Sequence, residues 1–149
     1  MKRSMCALAI LLVASLVGVV TTGASGRFSV RSLRGTYVFS GSGTLAGGTL
    51  QAATVGLNSF DGAGGCGIKA RINAGGTVLS VTAATCVYTV NADGTGTIRL
   101  SFNDPSLPVP FVSNIAIVDD KEIHFMLQDD LGGTVASGIA KKQSSGRRD

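Results

Sequence analysis

The sequence has no Trp, one His, three Cys and three Pro in 149 residues, and only 15% of it is charged. Low charge beside 44% hydrophobic residues excludes an intrinsically disordered chain, which would be apolar-poor and strongly charged. It also excludes a coiled coil, which would be rich in Glu, Lys and Leu. Scarce proline, with glycines that follow no three-residue period, excludes collagen. What the chain does have is glycine, 21 residues of it, with many Thr and Val. Thr and Val favour strands, and this length fits one domain. The expectation is a single all-β domain.

The first 24 residues read as a targeting segment. Lys2 and Arg3 form a basic start, Met5 to Val20 an apolar run, and Thr21 to Ser25 a stretch of small residues. That order is the layout of a secretory signal peptide, with the cut placed after Ala24. The apolar run is shorter than the roughly 20 residues that a spanning helix needs. No stable membrane span is therefore expected after cleavage, and the destination is secreted or periplasmic. Residues 25–140 form the expected barrel domain, and residues 141–149 a disordered basic tail.

Cleavage removes Lys2 and Arg3, leaving eleven basic against nine acidic residues. Most of the remaining cations lie at the ends, at Arg27, Arg31, Arg34, Lys141, Lys142, Arg147 and Arg148. Between residues 35 and 140 only Lys69, Arg71, Arg99 and Lys121 face eight acidic side chains. A nucleic-acid binder needs a basic stripe across its folded face. None is visible, so nucleic acid is excluded as a partner.

Two cysteines follow the leader, Cys66 and Cys86. An even count in an exported chain reads as a disulfide. With one His and no Cys-x-x-Cys spacing, a zinc site would lack ligands. No metal and no cofactor are expected.

Alternation marks the strands. They are expected at Leu33–Gly41, Thr49–Phe60, Cys66–Asn73, Thr77–Thr82, a segment holding Cys86, Tyr88 and Val90, Thr97–Asn103, Phe111–Val118, Glu122–Asp129 and Thr134–Ala140. Gly, Asn, Asp and Pro clusters separate them. Eight or nine short strands with regular turns predict an antiparallel meander of about eight strands. Closing it into a small barrel would remove the edges; a two-sheet β-sandwich is the alternative. A membrane barrel would need strands of about 10 residues, an apolar outer band and aromatic girdles, whereas the expected outward positions here are Thr, Ser, Lys and Arg.

The expected inward set begins with Tyr37, Phe39, Leu57, Ile68, Ile72, Tyr88, Val90, Ile98, Leu100 and Phe102. It continues with Ile115, Ile117, Ile123, Phe125, Leu127, Val135 and Ile139. Small residues on the same faces, Gly35, Ala70, Ser113 and Ser137, would leave room inside. Tyr37 and Tyr88 are the candidate ligand-lining residues, because a buried tyrosine hydroxyl seeks a partner.

Candidate chemistry is sparse. Asp61-Gly62-Ala63-Gly64 and Asp93-Gly94-Thr95-Gly96 have too few oxygen ligands for calcium and read as turns. His124 alternates with Glu122 and Met126, opposite the apolar Ile123, Phe125 and Leu127, which places it on the solvated face. Serines are plentiful, but with one His and no Gly-x-Ser-x-Gly elbow nothing supports a triad. Asp119, Asp120, Glu122, Asp129 and Asp130 fall at hairpin turns. No catalytic residue is assigned, and an enzyme is not expected.

Four segments together carry a resemblance: Ser32–Phe39, Phe60–Gly64, Tyr88–Thr97 and Ile117–Phe125. With them the chain resembles a group of small, exported, uncharacterised bacterial proteins over nearly the whole mature length. The resemblance implies export and a β-barrel-like fold, and it transfers no catalytic residue. Two functions fit these expectations. One is a non-catalytic exported barrel that binds a small apolar or amphipathic molecule, by analogy of architecture with lipocalin-like barrels. The other is a structural or interaction module of the cell envelope or extracellular space, with an envelope component as its partner. A roomy interior favours the first and a filled interior the second.

Overall fold

Alternating apolar and small polar residues produce eight strands: β1 Arg34–Leu45, β2 Leu50–Asp61, β3 Cys66–Ala74, β4 Thr77–Val90, β5 Thr95–Phe102, β6 Phe111–Ile117, β7 Glu122–Gln128 and β8 Val135–Lys142. In this computed structural model, residues 27–45, 47–104, 107, 110–128 and 133–144 are described. The expected signal peptide, residues 1–24, lies outside them, as do residues 145–149 of the expected tail. Each strand pairs antiparallel with the next, and β8 returns to β1, so the sheet is a closed eight-strand barrel. Closure leaves no free ladder edge. No helix among the described residues is long and apolar enough to cross a membrane.

Gly75 and Gly76 make the tightest turn. Ala74 pairs with Thr77 across them, and both have positive φ, +57° and +93°. A two-residue turn of this hand follows the twist of the flanking strands, and residues with a Cβ resist it. Asp61 and Asp93 cap the turns after β2 and β4. Asp61 Oδ1 accepts from the amides of Ala63 and Gly65 at 2.7 and 2.9 Å, and Asp93 Oδ1 accepts from the Thr95 amide at 2.9 Å.

The segments expected as two strands around residue 84 are one strand, β4. A bulge between Ala83 and Thr85 shifts the register against β5. A bulge adds one residue, so the inward parity changes along the strand. Leu79, Val81 and Ala83 face inward before it, and Cys86, Tyr88 and Val90 after it. Beside the bulge, the β3–β4 ladder stops at the pair Lys69–Thr82, and an isolated bridge joins Gly65 to Val87. The Cys66–Cys86 disulfide spans this gap, its Cα atoms 4.9 Å apart.

Three expected inward residues point outward. Leu57, Val135 and Ile139 are exposed, Val135 by 62%. The inner face of β2 belongs instead to Thr54, Gly56, Asn58 and Phe60, and that of β8 to Ala136, Gly138 and Ala140. The cause is steric. A Cβ at Gly56 would lie 2.7 Å from the Phe39 ring, and one at Gly138 would lie 2.5 Å from the Phe125 ring. Phe39 and Phe125 meet edge to face at 5.9 Å, so the strands that carry them need small inward neighbours. For the same reason Ser137, expected inside, is exposed. Gly35 is also exposed, in a left-handed conformation at φ +102°. Strand β8 runs through Lys142, two residues past the expected boundary at 140. The Gln143 amide also donates to the Thr36 carbonyl at 2.8 Å.

Candidate functional site

The two rims of the barrel differ. At the rim where β1 begins and β8 ends, the Tyr37, Phe60 and Tyr88 rings form an edge-to-face chain with centroids 5.4 and 5.0 Å apart. The turn at Val30–Ser32 lies over them. The Tyr88 hydroxyl donates to the Val30 carbonyl at 2.8 Å and also reaches the Leu33 carbonyl at 3.1 Å, while the Tyr37 hydroxyl donates to the Asp120 carbonyl at 2.8 Å. The Phe28 amide donates to the Ala92 carbonyl, which fixes the entering chain to the β4–β5 turn. Leu33 and Tyr37 are completely buried. Burial pushes the Tyr37 hydroxyl up to about 12, helped by the nearby charges of Asp120 and Asp119. This rim is sealed.

Above the seal is a chamber of about 490 Å³. Phe60 forms part of its floor, Ile98, Leu100 and Ile115 one wall, and Gly41, Ala52, Ala70 and Ala136 another. Towards the second rim it reaches Leu45, Leu79 and Leu107. The expected small residues Ala70 and Ser113 do line it. Tyr37 and Tyr88 do not. Their hydroxyls are held by backbone carbonyls below the floor, so these two candidates act as the plug of the barrel and not as its lining. Tyr88→Phe should therefore lower stability by roughly 1–2 kcal/mol in denaturant unfolding, through the loss of its buried bonds. Uptake of an apolar probe by the folded protein should be unchanged.

The lining is apolar apart from Ser42, Thr54, Asn58 and Ser113. No Asp, Glu, Lys, Arg or His belongs to it among the described residues. Asn58 is hidden in the sequence because Leu57 next to it is the more apolar residue and attracts the inward assignment. It stands between Tyr37 of β1 and Ile68 of β3 in the register. Only 5% of it is exposed, and its Oδ1 has no hydrogen-bond partner.

The titratable cluster lies outside. His124 Nε2 is 2.9 Å from Glu122 Oε1, and Lys141 Nζ is 3.2 Å from Glu122 Oε2, with the His124 side chain half exposed. The hydrogen bond from His124, then that from Lys141, holds the Glu122 carboxyl below its ordinary value. Among the described residues no group of three or more His, Cys, Asp or Glu side chains could hold a metal ion.

Asp61 and Asp93 are also held below the ordinary carboxylate value of 3.8, Asp61 mainly by the Ala63 amide and Asp93 mainly by the Thr95 hydroxyl. Each binds its proton more weakly in the folded than in the unfolded chain. Their contribution to stability is therefore complete above the unfolded value and is lost as pH falls through the lowered folded value. Thermal midpoints measured from about pH 5 down to about pH 2 should fall, and the double variant Asp61→Asn, Asp93→Asn should show a flatter decline.

No protein family and no curated protein matches the sequence. One solved structure, EF1p2_mFAP2b bound to DFHBI, is similar in fold. The TM-score is 0.53, with 13% identity over 80% of this chain and 98% of that chain. The similarity is one of barrel architecture. An apolar chamber inside a closed barrel is the candidate site of this protein.

Proposed function

We propose that this chain is an exported, non-catalytic β-barrel that binds a small apolar molecule in its chamber. The observation that carries the reading is the chamber itself. Its volume of about 490 Å³ lies within the usual range for ligand pockets, roughly 300–1,000 Å³. The lining offers only four polar side chains, so water inside bonds chiefly to other water and poorly to the wall. Exchange of that poorly bonded water for apolar surface is the driving force for binding. A barrel of the same architecture is bound to DFHBI, which agrees with this use of the fold.

Export is supported by the basic and apolar pattern of residues 1–24 and by the Cys66–Cys86 bond, which suits a secreted or periplasmic setting. The same pattern suits membership of the small exported bacterial barrels that the sequence resembles. A non-catalytic role is supported by the position of His124 and Glu122 outside the barrel, away from any bound molecule. The alternative reading, an envelope module without a ligand, called for a filled interior.

Native mass spectrometry of protein purified from its source tests the proposal. The expected spectrum shows the mature chain carrying a noncovalent small-molecule adduct that is lost on denaturation. A bare chain that also takes up no neutral apolar dye in solution would end this reading.

A further inference from the structure

Both tyrosine hydroxyls at the sealed rim have partners, but the buried amide oxygen of Asn58 just above it does not. Asn58 is 5% exposed, lines the chamber, and leaves Oδ1 without a hydrogen bond. Buried polar atoms are ordinarily paired, and an orphan calls for an explanation. The inner face of β2 makes this one conspicuous, because its neighbours in the register, Tyr37 and Ile68, are satisfied or apolar. An aliphatic residue at this position would bury no polar atom and cost nothing in desolvation.

Resting on the binding reading above, we propose that Asn58 is the recognition residue for an uncharged, chain-like apolar molecule that carries a terminal hydroxyl. In the ligand-free barrel the amide oxygen is closed off even to a water molecule. Turned towards the chamber, it accepts from the hydroxyl proton, and the amide nitrogen can donate to the hydroxyl oxygen, so one alcohol complements both ends of the side chain. A carboxylate fits poorly. It would bring a charge into an apolar space whose described lining offers no Lys, Arg or His. The position of Asn58 sets the orientation. It lies just above the Phe60 floor, so the hydroxyl enters first and the tail extends towards Leu45, Leu79 and Leu107. From Asn58 to Ala52 on the same inner face is about 20 Å along the strand, or about 15 Å along the axis at the usual tilt of an eight-strand barrel. That length suits an extended alkyl chain of medium size.

The test uses decanol, decane and decanoate, which share one chain and differ at its end. Each displaces a neutral solvatochromic dye from the wild type, from Asn58→Leu and from Asn58→Ala. Asn58→Leu should weaken decanol relative to decane by about tenfold, the equivalent of roughly 1.4 kcal/mol. Asn58→Ala should shift the same ratio in the same direction, which keeps the comparison available should one variant fold poorly. Wild type should bind decanol more tightly than decanoate at neutral pH. A decanol-to-decane ratio that neither variant moves overturns the assignment of Asn58 while leaving the chamber reading in place. Decanoate binding as tightly as decanol overturns the uncharged class. Failure of the wild type to bind the dye or any of the three probes overturns the chamber reading together with this one.

Discussion

Asn58→Leu should raise the melting temperature of the ligand-free protein. The wild-type Oδ1 is buried without a partner, and an unsatisfied buried acceptor costs about 1–3 kcal/mol. Leucine has the same branched shape without a polar atom, and its larger methyl groups can extend into the chamber that residue 58 lines. For a domain of about 100 residues, each kcal/mol moves the midpoint by roughly 4–8 °C, so a rise of about 4–24 °C is expected. Differential scanning calorimetry reads it directly. Saturation with decanol should narrow the gap, because the bound hydroxyl stabilises the wild-type folded state and not the variant's to the same degree. A lower midpoint in the variant would mean that the amide serves the fold. A gain in stability on deleting a buried side chain is the mark of a residue kept for its function.

Loss of the disulfide should have an effect of comparable size and opposite sign. Cys66 and Cys86 are 20 residues apart in sequence, and closing a loop of that length restricts the unfolded chain by about 3 kcal/mol. The double variant Cys66→Ala, Cys86→Ala should melt roughly 12 °C lower or more. Its location adds a second expectation. The bond spans the place where the β3–β4 ladder lapses beside the bulge, so no row of hydrogen bonds stands in for it there. Hydrogen exchange of the double variant should quicken most along Gly65–Ile68 and Ala83–Val87. Uniform quickening over all eight strands would mean that the bond acts through the unfolded chain alone.

Much of this architecture could be read from the residues, and the exceptions share a cause. The turn signals after Asp61, Ala74 and Val90 and the alternation in β3, β5, β6 and β7 gave the strand count, the meander and closure. The paired cysteines were legible from their number and the apparent export signal. Parity failed where a strand's inner face is small. In β2 the sequence offers Val55 and Leu57 against Thr54, Gly56 and Asn58, and in β8 it offers Val135 and Ile139 against Ala136, Gly138 and Ala140. Hydrophobicity favours the first set in each case. The Phe39 and Phe125 rings decide for the second, and they come from other strands. The bulge in β4 likewise exists only in relation to β5. Asn58, the residue with the clearest functional signal, was hidden by the same error that placed Leu57 inside.

An even number of antiparallel strands brings the beginning of β1 and the end of β8 to one rim, the plugged one. The Lys142 amide there donates to the Lys121 carbonyl, and Phe28 is tied to Ala92. The described chain therefore enters at Arg27 and leaves at Ser144 on the side away from the entrance, so neither of these two ends crosses the mouth of the cup.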